Sequence, residues 1–296
     1  METNPSPAQA TCEKSENIFK NLMKGILEHI EAHNFYDAYH KLNALNRRFS
    51  SRVSPEFLVK EYFVMVSVLA KHKEYSLMLE TLKDIISFYE KNSIPPTEER
   101  IFELVQFFKA TEKQPLPNPS MKYLIINRAL NWSKTEACPE GNSAMHLAAA
   151  VSHFHDRNFG SCQNHLVYCD NVSLLVLLIN EWQKDVYPSE RSLLTLRLIL
   201  ILLSIARIQL ASKLLQSLEI NLNSKSVPAP VQFAYLLVEA CLLHRLEFFE
   251  LVKKKYQLVI RRDQSFPKLL NGISKTVFNQ KIEAFDIFSL LSKIKF

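Results

Sequence analysis

Apolar residues return at helical spacing along nearly the whole chain. Ile18, Phe19, Leu22, Ile26, Leu27 and Ile30 make one stripe over residues 15–32. Phe35, Ala38, Leu42, Leu45 and Phe49 make the next, leaving Lys41, Arg47 and Arg48 on the opposite side. Ser54-Pro55-Glu56 reads as a cap with proline in the first turn, opening a helix through Phe57, Leu58, Tyr62, Met65, Val66 and Leu69. A partner over residues 77–88 follows. Pro95 and Pro96 stop it, and Thr97 caps another helix whose first turn holds Glu98 and Glu99, where carboxylates oppose the positive helix end. The prolines within residues 113–119 read as a connector, because the helical period continues on both flanks. Further helices are predicted over residues 121–132, with Leu124, Ile125, Ala129 and Trp132 inward, then over 143–154, 159–168, 172–182, 189–204, 208–218, 231–243, 246–259, 266–278 and 282–294. No strand needs to be invoked.

Short turns punctuate the pattern. Asn34-Phe35-Tyr36-Asp37-Ala38, Glu74-Tyr75-Ser76-Leu77 and Asn158-Phe159-Gly160-Ser161-Cys162 each place a large ring after a polar turn and open an amphipathic run. They recur at multiples of roughly forty residues, the period of paired helices stacked into a solenoid. The predicted fold is therefore all-α, an α-solenoid of helix pairs. Residues 1–14 are expected to be a disordered tail, and residues 15–296 one solenoid with halves 15–134 and 135–296.

Composition narrows function. Gly25, Gly141, Gly160 and Gly272 are the only glycines, too few for phosphate loops or nucleophile elbows. The cysteines Cys12, Cys138, Cys162, Cys169 and Cys241 are odd in number and scattered, and no apolar leader precedes them, so reduced cytosolic thiols are expected. The longest apolar run, residues 193–210, is interrupted by Arg197 and Arg207 and reads as a buried helix pair, not a membrane span. The formal charge is +6, with a cluster at Lys253, Lys254, Lys255, Arg261 and Arg262 that reads first as a solvated helix face.

His146, His153, His155, Cys162, His165 and Cys169 are zinc-ligand types within a short span. Residues two apart on a helix point in nearly opposite directions, so His153 and His155 cannot face one metal, and no CxxC pair is present. No metal, cofactor or catalytic residue is expected. The exposed 219–230 loop, rich in Asn and Ser, is a natural place for a partner contact.

Several motifs resemble the Golgi to ER traffic protein 4 family. Asn34-Phe35-Tyr36-Asp37-Ala38 with Arg48-Phe49 is similar to its first-repeat signature. Three more fall in the same order: Ala129-Leu130-Asn131-Trp132-Ser133 ahead of Met145-His146-Leu147, then Tyr187-Pro188-Ser189-Glu190, then Tyr256 with Arg262-Asp263. The resemblance implies a right-handed superhelix of tetratricopeptide-like helix pairs. It also implies a cytosolic adaptor, not an enzyme, in delivery of tail-anchored membrane proteins to the endoplasmic reticulum.

The amino-terminal half would contact a targeting ATPase, with Tyr36, Lys41, Arg48, Arg52 and Glu99 as candidate residues. The carboxy-terminal half would grip a ubiquitin-like protein, with Leu222, Val227, Phe233 and Leu237 as candidates, and a larger scaffold protein joins in animals. The family often carries a longer hairpin-like insertion where this chain has residues 219–230, so this grip is expected to differ in shape. Other readings are a scaffold subunit of another complex, or a nucleic-acid-binding repeat using the basic cluster. No base-reading position recurs from helix to helix to favour the latter.

Overall fold

Polar caps start the helices where the sequence places them. In the computed structural model, which describes residues 7–114, 116, 118–218 and 227–280 and side chains from Glu13 onward, the Ser54 side chain accepts from the Phe57 N–H at 3.1 Å. The Thr97 hydroxyl accepts from the Arg100 N–H, and the Asn158 and Asn171 amides accept from the Ser161 and Leu174 N–H groups. Each satisfies a donor that the first helical turn leaves unpaired. Every regular element among the described residues is a helix.

The chain divides into two compact units, Met1–Arg157 and Asn158–Phe296. The first holds α1 (Pro7–Glu31), α2 (Phe35–Phe49), α3 (Pro55–Lys71), α4 (Tyr75–Lys91), α5 (Glu98–Ala110), α6 (Pro119–Trp132) and α7 (Ser143–His155). Neighbours pack in order, α1 on α2, α3 on α4, α4 on α6, and α7 on both α5 and α6. α7 thus belongs to this unit, and the division falls after Arg157 and not near residue 134. The second unit holds α8 (Phe159–Leu166), α9 (Val172–Trp182), α10 (Arg191–Ser204), α11 (Ile208–Ser217), α12 (Ala229–Leu242), α13 (Leu246–Lys255), α14 (Gln257–Ile260) and α15 (Phe266–Thr276). α10 lies at its centre, against α11, α12 and α15, as its apolar sequence predicts. Each unit is a run of stacked helix pairs, the all-α solenoid organisation expected.

The repeat period reappears in the ties between successive pairs. Tyr39 donates to Asp84 at 2.9 Å across 45 residues, and the Trp132 indole donates to the Ile94 carbonyl at 2.9 Å across 38. Arg128 clasps the Glu90 carboxylate, also 38 residues away, and Arg207 donates to the Val167 carbonyl at 3.0 Å, 40 residues away. Trp132 also stacks on Tyr89 with centroids 4.7 Å apart.

The hairpin corners are built without glycine. His33, Lys73, Ser93, Ala206 and His244 all take the left-handed conformation, with φ from 53 to 62°. At each corner this residue's N–H bonds the carbonyl three back and the next N–H bonds the carbonyl five back from itself, as in His33 to Ile30 and Asn34 to His29. This is the Schellman arrangement, which satisfies orphan carbonyls at the helix end. The ring-bearing turn motifs after His33 and Lys73 are two of these corners. The corners at Ala206-Arg207-Ile208 and His244-Arg245-Leu246 share the geometry but lack the ring, so the sequence pattern missed them.

Several expectations are corrected. The first helix begins at Pro7, ahead of the expected start at residue 15. Its buried stripe is Phe19, Met23, Ile26 and Ile30, whereas Ile18 and Leu22 are about half exposed. Leu124, expected inward, is 60% exposed, while Ile125 and Ala129 are buried. The helix expected over residues 246–259 breaks at Tyr256, whose ring stacks on Phe233 at 5.1 Å and whose hydroxyl reaches Gln232 at 3.2 Å. The helix expected over residues 282–294 and most of the 219–230 loop lie outside the described residues.

Candidate docking surfaces

In the first unit, α2 turns its apolar stripe to the core, and its other side displays Tyr36, His40, Lys41, Ala44 and Arg48. Tyr36 is 65% exposed and packs edge-on against His40, one turn on, with centroids 4.3 Å apart. Lys41 and Arg48 stand two turns apart on the edge that faces α1 and line an open groove of ≈ 490 Å³ with Leu22, Gly25, His29 and Ala44, and with one carboxylate, Glu28. Lys41 touches the His29 ring, and the Arg48 guanidinium lies 5.8 Å from the Phe49 ring centroid. Gly25 leaves the floor open, since a Cβ there would meet nothing within 4 Å. The combination suits an acidic partner segment carrying an apolar residue: two cations at the rim and a gap between helices.

Arg52 is exposed in the turn after α2 but lines neither this groove nor its neighbour. Glu99 lines a separate cavity of ≈ 310 Å³ with Glu56, Lys60, Arg100 and Glu103. Burial first, and then the negative charge of Glu99, raise the Glu103 carboxyl, with Arg100 opposing. Lys41 and Arg48 are thus brought together, Tyr36 stands on the same helix outside their groove, and Glu99 belongs to a separate surface of mixed charge.

The candidates of the second unit need correction. Phe233 and Leu237 are completely buried, and Val227 is buried. Phe233 and Leu237 sit in α12, which packs against α10, α11 and α13, so they hold the core and no partner reaches them. Apolar spacing marks a buried stripe and a docking stripe alike, which is why the sequence reading confused them. Leu222 lies outside the described residues. The large apolar side chains that do reach solvent nearby are Leu242, Leu243, Leu251 and Leu258, at 40%, 50%, 63% and 81% exposure. Of these only Leu251 carries a sequence signal, a leucine set among the charges of Glu250 and Lys253.

The histidines and cysteines serve packing. His146 is buried with Nε2 3.2 Å from the Glu140 carbonyl, and burial lowers its pKa. His153 stacks on Tyr123 at 4.0 Å and is likewise lowered by burial. Burial pushes the thiols of Cys162, Cys169 and Cys241 up to about 12, 11 and 12. Among the described residues no three His, Cys, Asp or Glu side chains gather as metal ligands, and no helix is long and apolar enough to cross a membrane.

Comparison with known proteins adds a family. The model of Golgi to ER traffic protein 4 matches residues 59–294. The Golgi to ER traffic protein 4 homolog of Dictyostelium discoideum is 24% identical over 260 residues, covering 85% of this chain and 80% of that protein. Homolog B of Xenopus laevis is 20% identical over 256 residues, covering 84% and 77%. The crystal structure of C. therm. Get4 superposes with a TM-score of 0.76 at 16% identity, covering 94% of this chain and 95% of that one, a likeness of fold. With the family match spanning well over half of its length, the chain belongs to the Golgi to ER traffic protein 4 family.

Proposed function

We propose that the chain is a cytosolic adaptor without catalytic activity in the delivery of tail-anchored membrane proteins to the endoplasmic reticulum. It brings a targeting ATPase, held by the first unit, next to a ubiquitin-like protein, held by the second, which recruits the client-loaded chaperone. Family membership carries this reading. Tyr36, Lys41, Arg48 and Arg52 precede the matched residues, so the part of Lys41 and Arg48 in ATPase docking rests on their place at the α1/α2 groove, and that of Tyr36 and Arg52 on their exposure beside it. An arginine fork pairs well with a carboxylate, and charges of this kind chiefly set association rate and register.

The test is a pull-down of the purified chain with the targeting ATPase and the ubiquitin-like protein from the same organism. Both are retained at low salt. Lys41→Glu with Arg48→Glu releases the ATPase but keeps the ubiquitin-like protein. Retention of neither partner by the unaltered chain refutes the proposal, and stable co-purification with an unrelated assembly favours a different scaffold.

A further inference from the structure

A groove of ≈ 730 Å³ in the second unit lies between α8, α10 and α15 and contains none of the candidate docking residues. Its lining includes two cations, Arg197 and Lys268, and no carboxylate. Three of its polar side chains have unused hydrogen-bonding capacity. The Gln163 side chain is 5% exposed and lines the groove, and its amide makes no hydrogen bond among the described residues. Arg197 is half-buried and has only a distant carboxylate, Asp263 at 3.9 Å, beyond hydrogen-bonding range. Asp263 is itself engaged: it accepts from the Ser265 N–H at 2.8 Å and the Ser265 hydroxyl at 2.7 Å. Lys268 is exposed on α15 with no ion pair among the described residues.

We propose that this groove binds an extended acidic peptide segment, with the Gln163 and Asn164 amides taking its backbone and Arg197 and Lys268 its carboxylates. A side-chain amide presents a donor and an acceptor together, the complement of a peptide unit. Guanidinium and ammonium groups in a wall free of carboxylates select negative charge. The groove is open along the surface, which suits a chain passing through it. Gly160 and Gly272 keep it wide: a Cβ at Gly160 would meet nothing within 4 Å, and one at Gly272 would press on Ser204 at 3.3 Å. This site does not depend on which targeting factors the chain joins.

The test uses the full chain and fluorescein-labelled peptides of alternating Glu and Ser, or Lys and Ser, followed by fluorescence anisotropy. The Glu peptide binds at low salt, weakens as salt rises, and is preferred over the Lys peptide by at least ~tenfold. Lys268→Gln and Arg197→Gln each weaken it about tenfold. Gly160→Glu decides the case independently of those cations. Gly160 sits in the first turn of α8, where a carboxylate suits the helix end and open space surrounds it, so this variant folds while placing negative charge in the groove. Loss of the Glu peptide by Gly160→Glu with an unchanged melting temperature supports the site. Equal binding of both peptides, undiminished binding by Gly160→Glu, or displacement of the peptide by RNA more readily than by free glutamate overturns it.

Discussion

Gly25→Gln separates folding from docking at the α1/α2 groove. Gly25 lies inside α1, where glycine costs helical stability because its unfolded backbone is freer, and where glutamine is a good helix former. Since a Cβ meets nothing within 4 Å, no clash subtracts from that gain. The difference in propensity is roughly 0.5 kcal/mol in favour of the variant. For a chain of this size it raises the melting temperature by about 1–2 °C. The new side chain, neutral and long, projects where Leu22, Lys41 and Arg48 leave space, so it blocks a partner without altering charge. Thermal unfolding by circular dichroism reads the first effect, and surface association with the proposed targeting ATPase reads the second. A lowered melting temperature refutes the open floor at Gly25. A raised one with unchanged ATPase binding refutes the groove as the contact.

Gly141→Ala acts in the other direction. Gly141 has φ 105°, and a Cβ would lie 2.8 Å from the Leu130 side chain and 3.0 Å from its carbonyl oxygen, so strain and overpacking together cost about 2–4 kcal/mol, read as a lower midpoint in urea. Lys73→Gly relieves a left-handed lysine and raises stability by about 0.5–1 kcal/mol, read as a higher urea midpoint; a decrease contradicts the corner geometry. His146 and His153 are held neutral by burial, with pKa values below the ordinary ~6.5. The unfolded chain therefore takes up protons that the folded one refuses, and stability, complete above that pH, declines as pH falls below it. Urea titrations across the range read this, and a midpoint insensitive to acid down to about pH 5 contradicts it. Cys162, Cys169 and Cys241 resist iodoacetamide in the native chain at mildly alkaline pH, whereas partly exposed Cys138 reacts first, as peptide mass mapping can verify.

Helix existence was legible because period and caps agree: Ser54, Thr97 and Asn158 each sit one residue ahead of an observed helix and cap it. The basic rim on α2 was legible too, since Lys41 and Arg48 lie on the edge opposite a strong apolar stripe. What failed has a physical cause. Phe233 and Leu237 carry the same spacing as a docking face, and only packing against α10, α11 and α13 reveals them as core. Tyr256 breaks a helix through a ring contact with Phe233, distant in sequence. The groove of the second unit draws Gln163, Arg197 and Lys268 from three separated helices, so no linear motif announces it.

The corners at His33, Lys73 and His244 keep a side chain where many helical hairpins have only hydrogen. A glycine corner is chemically mute. Here these three reversals, unlike those at Ser93 and Ala206, leave an imidazole or an ammonium at the edge of the unit, so an exchange at one of them rewrites what that edge displays while the buried stripes stay unaltered.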